Sequence, residues 1–430
     1  MNNIKEVSRK LVKPCIPTTP NLKNYKFSLT DEFLPPMEIG ILLFYASNDK
    51  QINLEESLAK VLVQFYPLAG RFIMKDSCVD CSDQGAELVI AEAPHVELAT
   101  LIVERNLENL YGFLPRKNHQ LDEVNYPILS IQITELNSSG VAIGISISHK
   151  IFDASSVSTF VAAWSNATNL GPERKMGISP TFDSSSVFPG KNQRKYTGSM
   201  IHGTQNHTNS VKRFTFNIEA ITSLRSSLRP NEGISKVRVV CALIAKALIA
   251  LDRAKLARSR DCLLTMAVNM RERTVPPLHK HACGNLVLLS VDRYIAAVES
   301  DHEVGLQEMV DLIGDATSKT ISDCAKILSL TQQERDDLII KPLTTISKIF
   351  VSGEANVVSF TDYSKFGSYE ADFGWGKPIW VSIVPQASRN VTVLMENREG
   401  NGIEAWLHLE KNDMRLFEQD EEIRLFCNLG

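Results

Sequence analysis

An α/β protein in two halves is what the sequence predicts, on three observations. The chain runs to 430 residues, longer than one ordinary core serves, so two domains are the natural division. Strand-like alternation and helix-like spacing of apolar residues are interleaved in both halves rather than segregated. Between the halves, residues 171–210 are rich in Gly, Pro, Ser, Asn, Lys and His, the composition of a long surface crossover rather than of core. The division that follows is an N-terminal domain over 1–170, a crossover over 171–211 and a C-terminal domain over 212–430.

In the first half, Glu38–Tyr45 (EIGILLFY) reads as a strand. Residues 53–65 carry Leu54, Leu58, Val61, Leu62 and Phe65 on one helical face and end at Pro67. Tyr66-Pro-Leu-Ala-Gly-Arg71 is a turn leading into further strand, and residues 87–91 and 128–136 are strands. The stretch 141–164 organises this half. Val141, Ile143, Ile145 and Ile147 alternate with Ala142, Gly144, Ser146 and Ser148, a strand with one apolar face; beyond Asp153, Val157, Phe160, Val161 and Trp164 fall at helix spacing. Between them lies the turn His149-Lys150-Ile151-Phe152-Asp153. A histidine leaving a strand, with an aspartate at the mouth of the next helix, is placed for proton transfer. The plain alternative is that Asp153 only caps the helix, accepting from its first N–H groups.

In the second half, strands are expected over 212–217, 263–269 and 286–291, and helices over 218–228, 237–255 and 302–328. The end is β-rich, with strands over 356–360, 379–384, 391–396 and 403–409 before a C-terminal helix near 411–426.

Composition excludes several classes. The net charge is −4 and no basic run carries interleaved aromatics, so nucleic acid is not an expected partner. No apolar stretch has signal-peptide or membrane-span character, which predicts a cytoplasmic protein without membrane contact and with its eight cysteines reduced. Cys78-Val-Asp-Cys81 lacks a second pair and His279-Lys-His281 lacks further ligands, so no metal is expected. GxGxxG after a strand, GxxxxGK[ST] and GxSxG are all missing.

His149-xxx-Asp153 near mid-chain, followed by Asp372-Phe373-Gly374-Trp375-Gly376, resembles the plant BAHD acyl-CoA-dependent acyltransferases. The resemblance extends through Tyr66-Pro-Leu-Ala-Gly-Arg71, Asn269-Met-Arg-Glu-Arg273, Gly284-Asn285 and Glu404-Ala-Trp406, and is strongest to the branch esterifying alkaloids and terpenoids. It implies two similar mixed-sheet domains of the chloramphenicol-acetyltransferase kind, with a solvent channel at their interface. It also implies O-acylation of a specialised-metabolite alcohol by an acyl-CoA co-substrate, acetyl-CoA first, on a monomer with no permanently bound cofactor. His149 would be the general base in a ternary complex, since no activated Ser or Cys partner is identifiable. Asp153 would support it structurally, paired with Arg271, and residues 372–376 would be structural. Ser235 and Lys236, opening a long helix, are expected at the CoA phosphates. The Trp375 indole N–H is a candidate oxyanion donor. N-acylation of an amine and a non-catalytic binding protein on the same fold are the alternatives.

Overall fold

The computed structural model describes residues 4–429 apart from 35–36, 47–52, 105–106, 116–125, 138–139, 170–176, 192–208, 231–232, 296–303 and 385–389. It divides into two compact units, one of Met1–Tyr196, His279–Leu286 and Phe366–Gln386, the other of Thr197–Leu278, Val287–Lys365 and Ala387–Gly430. Two segments of the second half of the sequence therefore complete the first unit. The division expected from the linear sequence differs at this point: residues 372–376 belong to the first unit, not to the unit built on 212–430.

The first unit is built on a six-stranded mixed sheet. Its order is Lys5–Val12, Ala86–Ala93, Leu129–Leu136, Val141–Ser148, Glu38–Tyr45 and Trp380–Val384. Only Ala86–Ala93 and Leu129–Leu136 run parallel; the other neighbours are antiparallel. Every residue of Glu38–Tyr45 and Val141–Ser148 is buried, so the second strand is covered on both faces and not on the one its alternation suggested. Its small residues allow that cover. A Cβ on Gly144 would lie 2.0 Å from the Phe113 carbonyl oxygen, so the chain at Phe113 can approach only over glycine.

Helices Leu54–Gln64 and Ala154–Asn169 pack against each other in this unit. Asn53 caps the first, accepting from Glu56 N at 3.0 Å. Leu58, Val61 and Leu62 are fully buried, each stabilising by about 1.5–3 kcal/mol. Trp164 donates its indole N–H to Ser57 Oγ at 3.0 Å, which satisfies the polar end of a buried aromatic.

Trp380–Val384, expected among the second-half strands, lies at the edge of this sheet beside Glu38–Tyr45. All five residues are buried, and Trp380 stacks on Phe44 with centroids 5.0 Å apart. A strand apolar on both sides needs a covered position, and this edge supplies one. Most of the expected crossover lies outside the described residues. Its described part is not bare surface: Ser184 and Phe188 are buried, and Ser184 Oγ meets Tyr25 Oη at 2.9 Å.

The second unit holds a seven-stranded mixed sheet in the order Val287–Tyr294, Cys262–Asn269, Asn356–Asp362, Val391–Glu396, Ile403–Glu410, Asn209–Phe216, Asn428–Leu429. Helix Lys236–Leu256 buries Val239, Val240, Leu243 and Ile244 in a core shared with Phe214, Phe216, Leu394 and Leu407. Two elements of eight residues or more went unpredicted. Lys5–Val12 is an exposed edge strand whose only buried residue is Val12. Helix Gln332–Ser352 buries only Asp336, Ile339 and Ile349 and carries Pro342, so its apolar periodicity is weak. Among the described residues no helix is long and apolar enough to cross a membrane.

Candidate active site

The strand Val141–Ser148 delivers His149 at its end, where the last pair of the ladder is Ser148 with Glu38. The backbone holds the turn: His149 N donates to Met37 O at 2.7 Å. The imidazole is half-buried, and its Nδ1 lies 3.1 Å from Asn285 Oδ1. Asn285 Nδ2 donates to Asp31 Oδ1 at 2.7 Å, His149 O at 3.0 Å and Lys150 O at 3.2 Å. All three neighbours of Nδ2 are acceptors. An amide turned the other way would aim its oxygen at a carboxylate and two carbonyls, so the orientation is forced. Asn285 Oδ1 can then only accept, and His149 Nδ1 must carry the proton. Nε2 then keeps its lone pair. Burial pushes the His149 pKa below the ordinary 6.5, which keeps the ring neutral at neutral pH. A neutral imidazole with an unprotonated Nε2 can take a proton from a hydroxyl and pass it on.

Asp153 precedes helix Ala154–Asn169. Its Oδ1 accepts from Ser156 N and Ser156 Oγ, each at 2.8 Å, and its Oδ2 from Leu286 N at 3.1 Å. The first bond is the N-cap bond. The last ties the helix start to the turn that presents Asn285. Ser156 Oγ adds to that tie, accepting from Gly284 N at 3.0 Å and lying 3.1 Å from Gly284 O. Gly284 has φ of 138°, and a Cβ there would sit 2.6 Å from Ser184 Oγ, so the turn requires glycine. Asp153 thus sits one hydrogen bond from the residue next to Asn285, while the histidine Nδ1 goes to Asn285 and not to Asp153.

Lys150 is buried beside the histidine. Its ammonium donates to Leu34 O at 2.8 Å and Glu32 O at 3.4 Å, and lies 5.6 Å from the Phe27 ring centroid. Burial pushes its pKa down to about 8, against the pull of Asp31 and Glu32. Asp31 in turn is pushed up to about 6 by burial, opposed by hydrogen bonds from Asn285 and Ser28.

The segment at 372–376 is placed elsewhere in the unit. Asp372 Oδ1 accepts from Gly374 N at 2.6 Å and Gly376 N at 2.9 Å, closing a tight turn over two glycines with φ of 105° and 88°. Phe373 packs edge-on to Trp164 at 4.7 Å and to Tyr45 at 6.1 Å, and Trp375 lies 5.6 Å from Tyr45. Tyr45 pairs with Val141, at the opposite end of the ladder from Ser148. Seven residues of strand separate the two ends by about 23 Å, so Trp375 cannot donate to an oxyanion formed at His149. The motif holds the far end of the sheet and of helix Ala154–Asn169, where Asn169 Nδ2 also donates to Asp372 O.

The remaining expected residues lie in the second unit. Arg271 is buried, and its backbone N and Nη1 both reach Asn269 Oδ1 at 3.0 Å. Ser235 caps helix Lys236–Leu256 through Arg238 N at 3.1 Å. Lys236 Nζ is engaged by Glu396 Oε1 at 2.6 Å and Gly400 O at 2.9 Å, so a phosphate there would compete with an ion pair. Cys78 and Cys81 are buried thiols; burial holds both above the ordinary range and takes Cys81 to about 12. Among the described residues, no three His, Cys, Asp or Glu side chains group to hold a metal.

Two mixed α/β sheets and a neutral, tautomer-fixed histidine on an HxxxD turn are the fold and the base expected of an acyltransferase. The Transferase family model matches residues 2–424, and the chain belongs to this family of BAHD acyltransferases. It is 44% identical to the pelargonidin 3-O-(6-caffeoylglucoside) 5-O-(6-O-malonylglucoside) 4'''-malonyltransferase of Salvia splendens, over 99% of this chain and 100% of the relative. To vinorine synthase of Rauvolfia serpentina it is 34% identical, over 96% of each chain. The crystal structure of vinorine synthase superposes with a TM-score of 0.82 at 30% identity, over 99% of both chains. The protein is an acyltransferase that uses an acyl-CoA donor.

Proposed function

We propose that this chain transfers a short acyl group from acyl-CoA to a hydroxyl of a plant specialised metabolite, with His149 as general base. The observation that carries the reading is the hydrogen bond from His149 Nδ1 to Asn285 Oδ1, which leaves Nε2 unprotonated. Nε2 takes the hydroxyl proton as the oxygen attacks the thioester carbonyl. The tetrahedral species collapses, the C–S bond breaks, and the proton passes to the CoA thiolate. Donor and acceptor are present together, so no covalent acyl-enzyme forms. Asp153 supports the base by fixing helix and turn, and Arg271 is its proposed partner on the strength of the family resemblance. Ser235 and Lys236 remain the proposed phosphate contacts on the same basis.

The sequence points to acetyl-CoA and an alkaloid or terpenoid alcohol, and the similarity to O-acetyltransferases of limonoids and of salutaridinol supports that. The greater identity to a malonyltransferase named for a glucoside favours a second reading, malonyl transfer to a glycoside hydroxyl. Release of thiol from acetyl-CoA and malonyl-CoA, against panels of alkaloid alcohols, glycosides and amines, tests both. In His149→Ala, kcat is expected to fall about 100-fold or more while CoA binding persists. Full turnover by that variant sinks the proposal, and turnover on amines alone sinks the O-acyl reading.

A further inference from the structure

We infer that Asp31, which is remote from His149 in sequence, is a positioning residue that fixes the proton of the catalytic histidine on Nδ1 by acting through Asn285. The inference rests on the proposed role of His149 and adds the device that keeps it competent.

Asp31 lies in the short helix Leu29–Phe33, capped by Ser28. Its carboxylate is fully buried and has two tasks. Oδ2 accepts from Ser28 N at 2.8 Å, and Oδ1 accepts from Asn285 Nδ2 at 2.7 Å. Asp31 N meanwhile donates to Ser28 Oγ at 3.3 Å. Both carboxylate oxygens face donors, so the site needs two acceptors side by side. An ionised carboxylate supplies them and an amide cannot.

The consequence reaches the imidazole through one intervening side chain. With a carboxylate at residue 31, Asn285 must present its NH₂ there and its oxygen to His149 Nδ1. With an amide at residue 31, Ser28 N holds the only oxygen and an NH₂ faces Asn285. Two NH₂ groups then meet in a buried place, and turning Asn285 over relieves that clash only by setting its oxygen against His149 O and Lys150 O, so the single orientation the carboxylate secures gives way to a mixture of two. In the turned-over fraction the NH₂ points at His149 Nδ1, which must become the acceptor. The proton moves to Nε2, and the lone pair that would take the substrate proton is gone. Lys150, next in the chain, binds the opposite end of the same helix through Glu32 O and Leu34 O. Helix Leu29–Phe33 therefore holds the catalytic turn through Asp31 and through the carbonyls of Glu32 and Leu34, and of these contacts it is Asp31 that bears on the Asn285 amide.

Asp31→Asn tests this. Selective ¹⁵N-histidine labelling, with His149→Ala to assign the signal, reads the protonation of each ring nitrogen. In the wild-type protein Nδ1 is expected protonated and Nε2 bare; in Asp31→Asn the Nε2–H form becomes populated. In parallel, kcat falls in proportion to the fraction of protein carrying Nε2–H, with KM for acyl-CoA unchanged. Ser28→Ala weakens the same helix cap but leaves the carboxylate on Asn285, so it keeps the wild-type tautomer. If Asp31→Asn does not fold, Asp31→Ala decides, since it withdraws the carboxylate from Asn285 Nδ2 without placing a second NH₂ against it. Either variant retaining only the Nδ1–H tautomer overturns the inference, as does an Asp31→Asn protein with wild-type kcat. A His149→Ala variant with full activity would instead overturn the role of the base, and the tautomer measurement would still stand.

Discussion

Replacing Asp153 separates a structural carboxylate from a chemical one. Asp153→Ala removes two acceptors. Loss of the bond from Ser156 N is loss of an N-cap, worth about 0.5–2 kcal/mol. Loss of the bond from Leu286 N leaves a buried donor unsatisfied, about 1–3 kcal/mol. The Ser156 hydroxyl contributes little to the difference, because Gly284 O at 3.1 Å offers it another acceptor. These two losses together come to about 1.5–5 kcal/mol. Asp153→Asn should cost less, about 1–3 kcal/mol, since its oxygen can still serve Ser156 while its NH₂ faces Leu286 N. Urea denaturation of the three proteins gives the ranking wild type, Asn, Ala. Activity should fall with it, because Leu286 adjoins Asn285 and a slackened turn misplaces the imidazole. The pH profile supplies a sign. The Asp153 charge favours the protonated His149, so its removal moves the acid limb of kcat/KM further down. An Asp153→Ala protein of wild-type stability, as inactive as His149→Ala, would refute this reasoning and put the carboxylate in the chemistry.

Other outcomes follow from the same geometry. Because burial holds the His149 pKa below 6.5, the acid limb of kcat/KM should lie below 6.5, and an alkaline-shifted limb would contradict it. Stability carries the same sign. Below pH 6.5 the unfolded chain takes up the proton before the native one, so this residue's contribution is complete above 6.5 and is lost as pH falls toward the native value; urea midpoints across pH in wild type and His149→Ala read the difference. Asp372→Ala should cost about 0.5–1.5 kcal/mol, since the Gly376 N–H is exposed and the Gly374 N–H only part-buried, with KM values unmoved; a selective rise in one KM would give the motif a binding role. Lys236→Ala should raise KM for acyl-CoA with kcat preserved, and an unchanged KM would remove Lys236 from the phosphates. Asp153→Ala and Arg271→Ala, combined in a double-mutant cycle, should be strongly non-additive if the tie implied by the resemblance holds.

The elements with the clearest periodicity were legible in the sequence. Val141–Ser148, Ala154–Asn169 and Lys236–Leu256 carry apolar patterns that dictate their type, and their ends fall where Asp153 and Ser235 interrupt them. What failed was the assignment of Trp380–Val384 to a unit, because a strand records which side chains it buries but not which sheet buries them. At the site, His149 and Asp153 were visible as a local pair. Asn285 was visible only as half of Gly284-Asn285, a segment in which no role is legible, and Asp31 gave no signal beyond a capping box with Ser28. Their partnership links residues separated by 136 and 254 positions. No periodicity spans such distances.

The interleaved boundary has a consequence for how this protein is made. A ribosome that has released residues up to Tyr196 has emitted most of the first unit but neither His279–Leu286 nor Trp380–Val384. Until those arrive, Glu38–Tyr45 is an open, largely apolar edge and His149 has no Asn285 to orient it. At ordinary elongation rates of about 5–20 residues per second that interval lasts roughly 10–40 s, long for an unpaired hydrophobic strand. A fragment ending after the first half would carry the catalytic histidine yet lack the partner that makes it a base. Nascent chains of this protein are therefore expected to need chaperone cover late in synthesis, and activity to appear only with the nearly complete chain.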